Sequence, residues 1–127
     1  MYVDLDLIYA LIKEGDRHQE TAKKILGQTK GTYTSVVTLL ELEIVVKREM
    51  NDFLSTHVGE LFQKHAPTMK IVPLTEVIFK KSLALREKYG LGIFDSIHAA
   101  TALTHDKKIA STDKAFERVT ELKRADL

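Results

Sequence analysis

The chain has 127 residues, of which 44% are apolar, with six glycines and two prolines, and this composition is typical of one globular domain. It contains no cysteine, which excludes a disulfide framework, a thiolate zinc site and a cysteine nucleophile. Its 19 basic and 18 acidic residues leave a net charge of +1, so the molecule is not a polycation and any phosphate binding must be local. We therefore predict a single domain over residues 1–127.

Strand and helix patterns alternate along the whole chain. Candidate caps support several boundaries: Ser35 and Thr75 precede helical patterns, and Gly90 follows one where a left-handed cap is favoured. The predicted elements are, in order, a strand at 2–3, helices at 5–12 and 18–28, a strand at 31–34, helices at 36–49 and 53–66, a strand at 69–72, helices at 77–89 and 95–105, a strand at 108–111, a helix at 113–119 and a strand at 121–124. This alternation predicts a doubly wound α/β fold, a central mostly parallel sheet of four to five strands between two helical layers.

The sequence offers no sign of a membrane protein. Its longest uncharged runs, such as residues 32–40, are far too short to span a bilayer. The first residues lack the basic and apolar regions of a signal peptide. We expect a cytoplasmic protein without a membrane partner.

Acidic residues recur where an open parallel sheet binds its ligands, beyond the carboxyl ends of the strands. Asp4 and Asp113 follow predicted strands, and Asp95 follows the short apolar pair Ile93-Phe94 at the start of a helix. Aspartate is also a favoured N-cap, so capping explains each of these residues when it is taken alone. Their joint occurrence is what indicates a site.

Glu41 is not explained by capping. It lies in an apolar stripe, with Val37 and Val45 four residues to either side and no basic residue three or four positions away. A carboxylate buried without a partner loses its charge or destabilises the fold, so this pattern requires a partner supplied by the tertiary structure. A hard cation is the simplest partner, because carboxylates that share one pocket repel each other unless a divalent ion holds them. All-oxygen coordination selects Mg²⁺ or Mn²⁺.

The order of these acids resembles that of the PIN-domain nucleases, and in particular of the VapC-type toxins of toxin–antitoxin pairs. Asp4 in YVDLDLI resembles the first aspartate of the family, and Glu41 in TSVVTLLEL resembles its helix glutamate. Asp95 in GIFDSIHAATAL matches the third acid, which starts an alanine-rich helix. Asp113 in IASTDKAF matches the fourth, with Ser111 at the position of a hydroxyl residue two before it.

The resemblance extends from residue 2 to about residue 119, although the first strand is shorter than is usual in the family. It implies a three-layer α/β/α PIN-like domain that hydrolyses RNA phosphodiester bonds with one or two Mg²⁺ or Mn²⁺ ions. By this resemblance Asp4, Glu41 and Asp95 hold the principal ion, and Asp113 holds a second ion or positions the water.

Two further residues are candidates for auxiliary roles. Ser111 either contacts the metal shell or the phosphate, or is a plain turn hydroxyl. Asp6 either binds the metal through water, or is an acid favoured in the first turn of a helix.

The resemblance also implies partners. VapC-type toxins form homodimers and are held inactive by a small antitoxin whose tail covers the acidic pocket, so we expect an RNA substrate, a cognate antitoxin and a homodimer. Two alternatives remain: a PIN-domain nuclease that processes RNA outside a toxin pair, and a non-catalytic RNA-binding or protein-binding module. Asp4-Leu5-Asp6 also resembles the Asp-x-Asp of haloacid-dehalogenase phosphatases, but Leu7-Ile8 departs from the Gly-Thr that follows there.

The remaining motifs receive structural interpretations. The five histidines show no metal-ligand spacing, and one helical stripe is interpreted as a solvated face: His98, Thr101 and His105. A set of apolar residues is interpreted as core or dimer surface: Phe53, Leu61, Phe62 and Phe79. The helix of Phe53 is alternatively a groove for a partner.

Overall fold

The structure is a computed structural model that describes residues 1–127, except for the side chain of Gln28. The elements are β1 (Tyr2–Val3), α1 (Leu5–Ile12), α2 (Gln19–Gln28), β2 (Tyr33–Ser35), α3 (Val36–Glu49), α4 (Asp52–Ser55), α5 (Val58–His65), β3 (Lys70–Val72), α6 (Glu76–Tyr89), α7 (Ile93–Thr104), β4 (Lys108–Ala110), a 3₁₀ helix (Lys114–Arg118) and β5 (Lys123–Arg124). The predicted alternation of strands and helices is confirmed.

The five strands form one parallel sheet in the order β3-β2-β1-β4-β5. The two-residue β1 lies at its centre, where Tyr2 is in register with Tyr33 of β2 and Ile109 of β4. The chain adds β2 and β3 on one side of β1 and then β4 and β5 on the other. The strand order therefore reverses between β1 and β4, which is the place where open α/β sheets bind ligands.

Successive residues of each strand face opposite sides of the sheet and build two separate cores. Tyr2 and Ile109 pack with α6 and α7, whereas Val3 and Ala110 pack with α1, α3 and α5. The predicted three-layer α/β/α architecture is confirmed. A very short central strand suffices because both of its residues are fully buried, one in each core.

The predicted caps are confirmed. The Ser35 hydroxyl accepts a hydrogen bond from the Val37 amide at 3.0 Å, and the Thr75 hydroxyl accepts one from the Ile78 amide at 3.2 Å. Gly90 ends α6 in the left-handed conformation, with φ of +66°.

Several predicted boundaries shift by one or two residues, and the helix predicted at 113–119 is the 3₁₀ helix. Two further differences have a structural reason. Helix α7 begins at Ile93 with Gly92 as its N-cap, so Asp95 lies within the first turn and Ile93-Phe94 precede it as helix rather than as a separate apolar segment. An acid in the first turn interacts favourably with the helix dipole and leaves its carboxylate available to the neighbouring pocket. The helix predicted over 53–66 is two helices, because the side chains of Thr56 and His57 both bond to the Phe53 carbonyl and interrupt the backbone pattern.

The residues predicted as core or dimer surface divide between the two alternatives. Phe62 is 2% exposed and belongs to the core, but Phe53 is 69% and Phe79 is 43% exposed. Phe53 lines an open groove of about 300 Å³ beside Leu61, so a dimer surface or a partner groove remains a prediction for it. In the part of the chain that the structure describes, no helix is long and apolar enough to cross a membrane.

Candidate active site

An acidic pocket of about 400 Å³ opens beyond the carboxyl ends of β1 and β4. Its lining holds five carboxylates and neither lysine nor arginine; the residues are Asp4, Leu5, Asp6, Tyr9, Glu41, Val45, Asp95, Thr112 and Asp113. The four acids predicted from the sequence therefore meet in one pocket, although they come from α3, α7 and the segments that follow β1 and β4. We refer to this cavity as the acidic pocket.

Asp4 lies at the floor of the acidic pocket and is buried. One carboxylate oxygen accepts the Leu5 amide at 2.8 Å, and the other accepts the Ser111 hydroxyl at 2.7 Å. Burial and the charge of Asp6 raise the pKa of Asp4 to about 6, against the opposing influence of His98 and the two hydrogen bonds. Asp4 is an acid whose charge the protein alone stabilises poorly.

Ser111 connects the first acid to the fourth. Its buried hydroxyl donates to Asp4 and accepts the backbone amide of Asp113 at 3.0 Å. Asp113 is exposed and caps the 3₁₀ helix by accepting the Ala115 amide at 2.8 Å. Both Asp4 and Asp113 are thus helix caps that also face the pocket.

Replacing Ser111 with alanine is expected to destabilise the protein by about 1–3 kcal/mol, because it leaves a buried Asp4 oxygen and the Asp113 amide without this partner. Urea unfolding of the metal-free protein measures the loss. Ser111→Thr, which keeps the hydroxyl, is the matched control. Equal destabilisation by alanine and threonine would mean that steric fit, rather than the hydrogen bonds, is responsible.

Asp6 is more than an acid placed in the first turn of a helix. Its Oδ1 accepts the Leu7 amide at 2.9 Å. Its Oδ2 accepts the Thr112 amide at 2.7 Å and also the Thr112 hydroxyl. Asp6 therefore ties the start of α1 to the segment after β4. Thr112, which the sequence analysis did not single out, closes this side of the pocket.

The other two acids face the pocket from helices. Asp95 is half-buried, and its pKa is raised by burial and by the charges of Asp113 and Glu41, against the opposing influence of His98. The Glu41 side chain is 21% exposed, and its Oε1 lies 2.5 Å from Nε2 of His98. The sequence predicted that the fold supplies a partner for Glu41. In the structure, His98 is a hydrogen-bond partner of Glu41.

The interpretation of the His98 stripe as a solvated face is wrong. His98 is 1% exposed and Thr101 is fully buried, and only His105 reaches solvent. Helix α7 packs against α6 and the sheet, so every residue from 96 to 103 is buried. Burial lowers the pKa of His98, but the hydrogen bond to Glu41 and the charges of Asp4, Glu41 and Asp95 outweigh that effect and raise it.

The chemistry of the acidic pocket fits a divalent cation. As the side chains lie, no three histidine, aspartate or glutamate residues among those described surround a common point closely enough to hold an ion. Glu41, Asp95 and Asp113 nevertheless each keep an oxygen that accepts no hydrogen bond from the described residues. All of these candidate ligand atoms are carboxylate oxygens, and burial together with the charges of neighbouring acids raises the pKa of Asp4 and of Asp95. An ion would relieve that repulsion once these side chains turn toward it.

The sequence matches the family model of the PIN domain over residues 1–122. The chain belongs to the PIN-domain family. No curated protein matches it. The PIN-domain resemblance inferred from the four acids is therefore confirmed, and with it the expectation of a nuclease fold.

Several solved structures share this architecture. The Mycobacterium tuberculosis toxin VapC20, described as cleaving the sarcin-ricin loop, superposes with a TM-score of 0.78 at 15% identity, with 93% of each chain covered. FitAcB from Neisseria gonorrhoeae gives 0.78 at 20% identity, over 98% of this chain and 96% of the other. A toxin–antitoxin complex from Klebsiella pneumoniae gives 0.72 at 22% identity, over 96% and 94%. At these identities the similarity establishes the fold of the PIN domain.

Proposed function

We propose that this PIN domain is a divalent-metal-dependent endoribonuclease and the VapC-type toxin of a toxin–antitoxin pair. The observation that carries the proposal is the acidic pocket, in which five carboxylates from separate segments face one cavity at the switch point of the sheet. A binding module whose acids only cap helices would not place Glu41 there, because Glu41 lies inside α3 and caps nothing.

In this proposal Asp4, Glu41 and Asp95 hold the principal Mg²⁺ or Mn²⁺ ion, and Asp113 holds a second ion or positions the attacking water. The ion would activate the water and neutralise charge on the scissile phosphate. Ser111 keeps Asp4 oriented, and Asp6 fixes the pocket wall through Thr112. The lining without lysine or arginine would repel the RNA backbone unless the ion were bound, which makes substrate binding depend on the metal.

The proposed partners are RNA, a cognate antitoxin and a second copy of the chain, in the cytoplasm. Several structurally similar proteins were solved as toxin–antitoxin complexes, which supports the antitoxin. An exposed apolar stripe on α3 supports a dimer: Val36, Leu40 and Ile44 are 44%, 52% and 47% exposed at a spacing of four residues. An RNA-processing nuclease outside a toxin pair would use the same pocket without the antitoxin.

Leu40→Glu is expected to dissociate the dimer, because it puts a charge at the centre of the α3 stripe. A central interface residue contributes about 2 kcal/mol or more, which corresponds to roughly a thirtyfold weaker dimer. Light scattering coupled to size-exclusion chromatography measures the mass. Phe53→Glu tests the other candidate surface, since Phe53 is exposed on α4. Dissociation by Phe53→Glu alone would move the dimer surface to α4.

The proposed activity is tested by incubating the purified protein with total RNA in Mg²⁺, in Mn²⁺ or in EDTA. Cleavage that requires the metal supports the nuclease, and discrete products point to a defined target. Mn²⁺ binding without cleavage would indicate an enzyme with a narrow substrate range. RNA from cells grown under other conditions then tests that explanation. Absence of both binding and cleavage in a folded protein would favour the non-catalytic module.

A further inference from the structure

The buried His98 lies behind two residues that line the acidic pocket, Asp4 and Glu41, and has no role in the proposed metal site so far. Its Nε2 lies 2.5 Å from Glu41 Oε1 and 3.8 Å from Asp4 Oδ1. The ring is 1% exposed, whereas the Glu41 side chain is 21% exposed. His98 thus reaches Glu41 from inside the protein and leaves the outer part of the carboxylate facing the pocket.

The direction of this hydrogen bond follows from its partners. An ionised carboxylate can only accept, so Nε2 carries the proton that is donated to Glu41. The other ring nitrogen, Nδ1, lies 2.5 Å from the hydroxyl of Tyr2. Burial raises the pKa of Tyr2, so its phenol keeps its proton. Both nitrogens of His98 are therefore engaged, and the ring plane is fixed at both ends.

A buried hydroxyl network anchors Tyr2 in turn. Its hydroxyl lies 3.0 Å from Thr38 Oγ1, which lies 2.8 Å from Thr34 Oγ1. Thr34 donates to the carbonyl of Val3 at 2.8 Å. The series of contacts thus runs from the backbone of β1 through β2 and α3 to the ring of His98. The position of the His98 ring is therefore determined by the sheet and α3.

We propose that His98, held by Tyr2, is a positioning residue that fixes the Glu41 carboxylate for metal binding. This inference rests on the proposed function, because it assigns Glu41 to the metal. Glu41 has a long side chain whose rotamers are restricted at a cost in entropy. By holding Oε1, His98 restricts the Glu41 side chain and leaves Oε2 free for the ion. Hydrogen-bond partners of metal ligands typically contribute a factor of about 10–100 to metal affinity.

A purely structural role makes a different prediction. If His98 only filled space in the core, leucine of similar volume would pack there and leave the metal affinity unchanged. His98→Leu also leaves the Tyr2 hydroxyl and Glu41 Oε1 without this partner, so a loss of stability is expected for either role. Stability alone therefore does not distinguish the two roles, whereas the affinity for a metal ion measured without RNA does.

The test measures the Kd of Mn²⁺ by electron paramagnetic resonance in the wild type, His98→Leu, His98→Gln and Tyr2→Phe. We expect binding about 10–100-fold weaker in His98→Leu. His98→Gln should recover part of it, since its amide can donate to Glu41, and Tyr2→Phe should show a smaller loss. Tyr33→Phe is the matched control. The Tyr33 hydroxyl donates to Asp106, which precedes β4 and so lies at the amino ends of the strands, opposite the pocket.

Unchanged or tighter Mn²⁺ binding in a folded His98→Leu would overturn the positioning role, and tighter binding would mean that His98 competes with the ion. If His98→Leu does not fold, the Mn²⁺ affinities of His98→Gln and Tyr2→Phe are compared with that of Tyr33→Phe. Equal affinities would overturn the positioning role. Wild-type protein that binds Mn²⁺ and cleaves RNA while the variants bind equally well would refute the positioning role alone. Wild-type protein that does neither would refute the proposed function together with it.

Discussion

Asp95→Asn is expected to abolish RNA cleavage while raising the melting temperature of the metal-free protein. Both effects follow from one position. Asp95 is half-buried beside other acids, which raise its pKa, so removing its charge relieves repulsion from Asp113 and Glu41. The same change removes a proposed ligand of the ion, whose stabilisation of the transition state is worth several kcal/mol. At about 1.4 kcal/mol for each factor of ten, cleavage should fall by roughly a thousandfold or more.

The measurement combines a cleavage assay with a thermal melt in EDTA. Asp52→Asn is the matched control, because Asp52 lies in the first turn of α4, is exposed and is not among the residues that line the acidic pocket. It should change neither the rate nor the melting temperature appreciably. Full cleavage by a folded Asp95→Asn variant would contradict the metal assignment, and a lowered melting temperature would contradict the account of charge repulsion.

Mn²⁺ is expected to stabilise the protein strongly at pH 7.5 and weakly at pH 5. The pKa of Asp4 is raised to about 6 from its ordinary value of 3.8. At pH 5 the carboxyl is mostly protonated and must lose its proton before it can bind an ion. Affinity should therefore fall by about tenfold for each pH unit below 6, since one proton is displaced. A ligand at a hundred times its Kd stabilises by about 2.7 kcal/mol, so the shift in melting temperature is readily measured.

In the absence of metal, the contribution of Asp4 to the free energy of unfolding decreases with pH, whereas the stabilisation by metal increases with pH. A carboxyl whose folded pKa is raised favours folding when protonated, so this contribution declines as pH rises from about 4 to 6. The loss is on the order of 3 kcal/mol, because each pKa unit corresponds to about 1.4 kcal/mol. The free energy of unfolding of wild type minus that of Asp4→Asn isolates this group. A metal-induced shift that is equal at both pH values, or a difference that grows with pH, would contradict the account.

Much of the fold followed from local signals. The strand and helix patterns needed only the neighbouring residues, and the caps at Ser35, Thr75 and Gly90 marked boundaries that the structure confirms. Asp4 and Asp113 were found because the ends of parallel strands meet at one edge of the sheet. Glu41 was found because an acid among apolar neighbours needs a partner. Whether these residues bind metal stays a prediction.

The partner of Glu41 was missed because its signal is not local. His98 is 57 positions away in sequence, and a single histidine on a helix carries no spacing that reveals its ligand or its burial. Its surroundings are decided by the packing of α6 and the sheet against α7. The alanines at 99, 100 and 102 were the available clue, since small residues on several sides of a helix indicate close packing all around it.

The central position of β1 has a consequence for the biosynthesis of the protein. The backbone amide of Asp4 donates to the carbonyl of Ala110 at 3.0 Å, so the first strand completes its pairing only with a segment made more than a hundred residues later. Such distant contacts make folding slow. A nascent chain whose β4 is still inside the ribosome lacks the segment that brings Asp113 beside Asp4. The acidic pocket therefore assembles only after the chain has left the ribosome as far as Asp113, which delays any attack on nearby RNA until that point.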